Sequence, residues 1–337
     1  MTKRHLYGID YARIAAIFLV ILQHLTISGV DSAGHPFLYR ISARLMEALA
    51  QPCVDLFALI SGYVCLTATW RPMRYFKLWL QVVFTAAVIV AVVPLVAAAP
   101  VSRDWLKVLT PVCHDTYWYF TGYTVVFLLM PVLNRLMRLK WACTGAFALV
   151  AVLAILQTLG VLSAFTFLND GYSAAWLVVL YAVGAGLRQI EDRLPRTPWP
   201  YFVLAFACVL LTMAQRLFTG YDDWTLFKYT SPTNVVAAAS LLVGFLRLPS
   251  PDFGGTAIRA LSSAAFGVYL WHVHPLFFRQ CWFGSFTFFN DIPGWAYAAA
   301  MLGTAGLAFL LIAAVELLRI RLFSCIGRCV GKVLALT

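Results

Sequence analysis

Residues 9–30 read IDYARIAAIFLVILQHLTISGV. Apart from Asp10, Arg13, Gln23 and His24, the side chains here are almost all apolar or small. About 20 apolar residues in helical form cross the hydrocarbon core of a bilayer, so the stretch predicts a first spanning helix. Arg13 and His24 are three helical turns plus roughly 20° apart, which puts them on one face with an axial offset of about 16 Å. Ionisable groups at such depth are costly and usually face a bundle interior, a partner or a ligand. The bland alternative has Arg13 snorkelling towards the interface and pairing with Asp10, while His24 is a hydrogen-bonded packing residue.

The rest of the chain has the same character. Of 337 residues, 62% are hydrophobic and 12% charged, against about 25% charged in soluble domains. The net charge of +11 comes from Lys and Arg scattered singly or in threes between apolar runs. This is the pattern of cytoplasmic loops and argues against a nucleic-acid partner. The eight cysteines lie mostly within apolar runs and form no CxxC pair, so neither a disulfide framework nor a zinc or other metal site is expected. The opening MTKRHLYGIDYAR resembles the charged end of a signal peptide. Asp10 and Arg13 interrupt the run that follows it, and a retained first helix is expected.

Apolar runs of spanning length fall at about 9–30, 45–68, 76–99, 118–134, 141–163, 173–189, 200–218, 232–247, 261–282 and 295–318. The expected fold is all-α: a polytopic transmembrane helix bundle of about ten spans, as a single domain over residues 1–337. With an even number of spans, eighteen of the 25 Lys and Arg residues fall on the side of the two termini and seven on the other. That bias predicts cytoplasmic termini. The longer segments on the other side are 31–44, 100–117 and 219–231. The last of these, GYDDWTLFKYTSP from Tyr221 with Gly220 before it, suits a headgroup-level loop or one that contacts a polar substrate.

Further polar residues punctuate the apolar runs. In QPCVDLFALISGYV, Asp55 sits deep in a span and calls for a cation, with Arg13 or protonated His24 as candidates. Pro52 should kink this helix, and Gly62 permits close helix approach. In WRPMRYFK, Arg71, Arg74 and Lys77 recur every third residue on one face, either as a topology signal or as a clamp for phosphates. In FGVYLWHVHPLF, His272 and His274 are two residues apart. They point to different faces and are poor joint metal ligands.

The ordered series IDYARIAAIFLVILQHL, DLFALISGYV, WRPMR, WYFTGYTVVFLLMPVL and FGVYLWHVHPLF resembles the motifs of the membrane acyltransferase-3 family across nearly the whole chain. The resemblance implies transfer of an acyl group, usually acetyl, from cytoplasmic acyl-coenzyme A. The acceptor would be a hydroxyl of a cell-surface polysaccharide or lipid-linked glycan. The family's essential arginine and histidine fall on Arg13 and His24, and its basic cluster on Arg71 and Arg74, with looser spacing here. Members with a fused esterase-like domain pass the acyl group onward, whereas here the acceptor is expected to be acylated directly or through a further partner.

The resemblance therefore implies an O-acetyltransferase in a bacterial cytoplasmic (inner) membrane, with acetyl-coenzyme A as donor substrate and no permanently bound cofactor. Arg13, Arg71 and Arg74 would hold the donor's phosphates, and its pantetheine arm would bring the thioester towards His24. His24 would act as general base, since imidazole titrates near working pH. Asp55 would orient the imidazole or pair with Arg13, and Trp118, Tyr119 and His272 are the expected substrate-side residues. The alternative is a glycan or lipid transporter or flippase. Against it stand the lack of repeat symmetry and of matched Gly/Pro-broken half-helices.

Overall fold

A computed structural model of the chain describes residues 5–28, 34–97, 104–161, 167–219 and 224–334. Among the described residues every regular element is helical, as expected where backbone N–H and C=O groups must be satisfied without water. In chain order the helices are α1 (Tyr7–Thr26), α2 (Phe37–Ala50), α3 (Cys53–Cys65), α4 (Pro72–Val96), α5 (Trp105–Leu109), α6 (Trp118–Leu136), α7 (Ala142–Thr158), α8 (Ala174–Ile190), α9 (Trp199–Thr219), α10 (Pro232–Leu246), α11 (Gly255–Val273), α12 (Pro275–Phe277) and α13 (Gly294–Leu334). Each of the ten predicted apolar runs coincides with one or more of them. Among the described residues six segments are long and apolar enough to cross a membrane: Tyr7–Thr26, Phe37–Cys65, Pro72–Val96, Trp199–Arg216, Thr225–Leu246 and Gly294–Cys325. Residues 220–223, within the loop predicted to contact substrate, lie outside the described residues.

Prolines and small hydroxyls mark the helix boundaries. Pro72 and Pro232 stand in the first turns of α4 and α10, where a missing N–H costs nothing. Ser173 and Ser231 cap α8 and α10 by accepting from the N–H groups of Trp176 and Asn234. Pro52 divides the predicted second run into α2 and α3, as its ring and missing N–H require. The predicted run 261–282 is not one helix. Pro275 pushes the preceding residue out of the helical region, and His274 is extended there (φ −54°, ψ 126°).

α1 is the central helix. It packs on α2, α3, α10, α11 and α13, and Ala12, Ala16, Ile17, Ile21, Leu22 and Leu25 are wholly enclosed. α13 lies at the periphery: it buries Met301, Ala305, Phe309 and Ala313 and exposes Leu307, Leu310, Leu311 and Leu318. Where lipid is as apolar as leucine, helices associate by close packing rather than by hydrophobic transfer. α3 and α8 meet that demand reciprocally. A Cβ on Gly62 would strike the backbone of Tyr181, and one on Gly184 would strike the backbone of Leu59.

Candidate active site

His24 sits near the C-terminal end of α1. Its Nδ1 lies 3.1 Å from Nε2 of His272 on α11, and Nδ1 of His272 lies 2.6 Å from the carbonyl oxygen of Val268. A carbonyl only accepts, so His272 Nδ1 carries a proton and donates it. In the neutral ring, His272 Nε2 is then an acceptor, and His24 must donate to it through Nδ1–H. The chain of donors leaves His24 Nε2 with a bare lone pair. The edge of Phe278 packs on the His24 ring at 5.4 Å between centroids, and Trp282 Nε1–H donates to the His24 backbone carbonyl (3.3 Å).

The His24 side chain lines a cavity of about 340 Å³ together with Gln23, Phe57, Trp118, Tyr119 and Tyr269. The opposite wall comes from two loops, with Asp170 and Tyr172 on one and Trp224, Phe227, Lys228 and Tyr229 on the other. Of the predicted substrate-side residues, Trp118 and Tyr119 line this cavity. His272 does not, being wholly buried behind His24. A smaller recess of about 250 Å³, lined by Ile27, Pro275, Phe278 and Arg279, also reaches His24.

Arg13 occupies the other end of the same helix face. Asp10 gives its carboxylate to His5, 2.5 Å away, rather than to Arg13, which has no ion pair among the described residues. Arg13 lines a separate pocket of about 350 Å³ with His5, Asp10, Tyr63, Thr67 and Arg188. Arg188 stands 4.7 Å above the Tyr63 ring, whose hydroxyl donates to Glu191 (2.5 Å). Arg71 and Arg74 do not line this pocket. They are exposed at the start of α4.

Asp55 belongs to neither end. It is wholly buried, and its Oδ1 accepts from Trp176 Nε1 at 3.1 Å. Among the described residues it is hydrogen-bonded to neither the imidazole nor Arg13, and its Oδ2 has no partner. Its face of α3 is turned to α8, where an indole N–H serves in place of a cation, and the partner of His24 is His272.

A family model described as the acyltransferase domain of the acyltransferase-3 family matches residues 6–313, which include His24, His272, Arg13 and every other lining residue of the two pockets named above except His5. The chain belongs to the acyltransferase-3 family. It is a membrane acyltransferase with several apolar helices, and the motif series quoted above is that family's. No curated protein and no solved structure matches the chain.

In this member of the family, one buried carboxylate went unnoticed in the sequence. Glu316 on α13 is wholly enclosed. It accepts from Gln81 (3.0 Å), Trp271 (3.1 Å) and Arg319 (2.9 Å to Nε), tying α4 and α11 to α13. Trp271 immediately precedes His272, so this clamp holds the turn that carries the second histidine. An acidic residue with arginine three positions on, inside VELLR, was the available signal. Among the described residues no group of three or more His, Cys, Asp or Glu side chains is arranged to hold a metal.

Proposed function

We propose that the chain is an O-acyltransferase, in its usual form an O-acetyltransferase. It would move the acyl group of cytoplasmic acyl-coenzyme A to a hydroxyl of a cell-surface polysaccharide or lipid-linked glycan. The observation that carries this is the pairing of His24 with His272 at the wall of an aromatic cavity, on the helix that also presents Arg13 to a second polar pocket. The motif series is similar to that of the inner-membrane O-acetyltransferase of enterobacterial common antigen, whose acceptor class suits an aromatic cavity. The setting is a bacterial inner membrane crossed about ten times, with both termini cytoplasmic. The Arg13 pocket then faces the cytoplasm and the His24 cavity faces outward.

Coenzyme A docks with its phosphates near Arg13, Arg71 and Arg74, where guanidinium groups offer charge-assisted bonds. The pantetheine arm covers the offset of about 16 Å to His24. His24 Nε2 takes the proton of the acceptor hydroxyl as its oxygen attacks the thioester carbonyl carbon. The C–S bond breaks, and the departing thiolate recovers that proton from the imidazolium. His272 keeps the reactive tautomer in place, and Trp118 and Tyr119 face the acceptor.

Membranes carrying the chain and supplied with labelled acetyl-coenzyme A test this directly. His24→Ala should lower transfer to endogenous glycan by about 10²- to 10⁴-fold, the usual worth of a positioned base, and Arg13→Ala should raise the KM for the donor. Full transfer by both folded variants overturns the mechanism. Movement of unlabelled glycan across the membrane without coenzyme-A-dependent labelling would instead support a transporter or flippase.

A further inference from the structure

The loop wall of the His24 cavity carries polar groups that the transfer chemistry does not use. Asn169 (φ 44°), Asp170 (φ 53°) and Gly171 (φ 102°) follow one another in the left-handed region, which residues bearing a Cβ rarely adopt and which clusters at binding sites. The turn presents Asp170 at the cavity mouth. Gln157 Nε2 donates to Asp170 Oδ1 at 3.0 Å, and Lys228 Nζ reaches the same oxygen at 3.0 Å. Both partners thus engage Oδ1, and Oδ2 has no partner among the described residues.

The rings of Trp118, Tyr172 and Tyr229 run in series beside this pair, with centroids 5.0 and 4.8 Å apart. Deeper in, the hydroxyl of Tyr269 and the side-chain amide oxygen of Gln23 are buried and line the cavity, and neither has a hydrogen-bond partner of good geometry among the described residues. Tyr269 is 8% exposed, and a buried hydroxyl left unpaired is costly unless a ligand completes it.

We infer that Asp170 and Lys228 form the recognition element of a pyranose subsite selective for uncharged sugars with adjacent hydroxyls. The apolar face of the ring lies on the aromatic series. One hydroxyl donates to Asp170 Oδ2, its neighbour accepts from Lys228, and a group deeper in the cavity meets Tyr269. Because Asp170 already matches the charge of Lys228, a uronate would bring an uncompensated negative charge against Asp170. This deepens, and rests on, the acceptor role given above to the His24 cavity.

Saturation-transfer NMR on the detergent-purified full chain, titrated with methyl α-D-glucopyranoside and with its 6-carboxylate, the methyl glucuronide, reads the selectivity. The neutral glycoside should bind at least tenfold more tightly. Asp170→Asn leaves Lys228 as an uncompensated cation and should reverse that order, which a merely structural role would not do. Lys228→Met removes the compensating cation and should widen the original preference, so the test survives if Asp170→Asn does not fold. Equal binding of the two glycosides by the intact chain, no binding of either, or an unchanged order in the variants overturns the subsite. Labelled acetyl transfer to endogenous glycan, read in the membranes from which the protein is purified, separates the two ideas. Transfer without the reversal refutes the subsite alone, and the reversal without any transfer refutes the catalytic reading alone.

Discussion

A neutral imidazole carries one proton, and the nitrogen that holds it decides which nitrogen can take another. At His24 that choice is made by His272, which is itself anchored to the Val268 carbonyl. A side chain at position 272 that cannot accept from His24 should let the tautomer drift. His272→Phe should therefore lower kcat tenfold or more, about 1.4 kcal/mol or above in the barrier, with little change in either KM. His272→Gln, whose carbonyl oxygen can accept, should recover part of the loss, whereas equal loss in both variants would reduce His272 to packing. The Arg13–His24 alignment was legible from the sequence because helical period alone decides it. The partner of His24 was not, since it lies 248 residues away. Spacing said only that His272 and His274 face different ways. The indole partner of Asp55 was not legible either, because a buried carboxylate signals the need for a donor without saying which kind.

At the scale of elements, the crossing of α3 and α8 depends on two glycines that each meet the other helix's backbone. A branched side chain has nowhere to go there, because backbone cannot yield as a flexible side chain would. Gly62→Val and Gly184→Val should each cost about 1–3 kcal/mol or more, and lower the unfolding midpoint in detergent by roughly 5 °C or more. Gly306→Ala on α13, where a Cβ meets nothing within 4 Å, should leave the midpoint unchanged. Equal effects at all three positions would contradict the crossing. Gly62 and Pro52 were readable as a close approach and a kink. The partner Gly184 was not, because nothing in AVGAG distinguishes a glycine facing α3 from its neighbour Gly186, which faces Phe147 and Cys143. The break at His274 was missed because apolar composition runs straight through Pro275.

For the molecule as a whole, composition decided the class of fold, and the positions of the helices followed from the length of each apolar run. The walls of the cavity were less legible. Tyr172 and the stretch from Trp224 to Tyr229 lie in loops, where no period assigns a direction. The mixed character of GYDDWTLFKYTSP was a hint, and its described part does line the cavity. Orientation is testable by reagent access. Cys113, exposed between α5 and α6, belongs on the outer side if both termini are cytoplasmic. A membrane-impermeant maleimide applied to whole cells with a permeabilised outer envelope should label it, and Cys113→Ser should remove the signal. Labelling from the cytoplasmic side only would invert the topology.

The Arg13 pocket and the His24 cavity have no lining residue in common. Between them α1 presents Ala16 and Ile17, both wholly enclosed. The pantetheine arm of the proposed donor must therefore part that packing to reach His24. Donor binding is then coupled to movement of the helices that enclose α1.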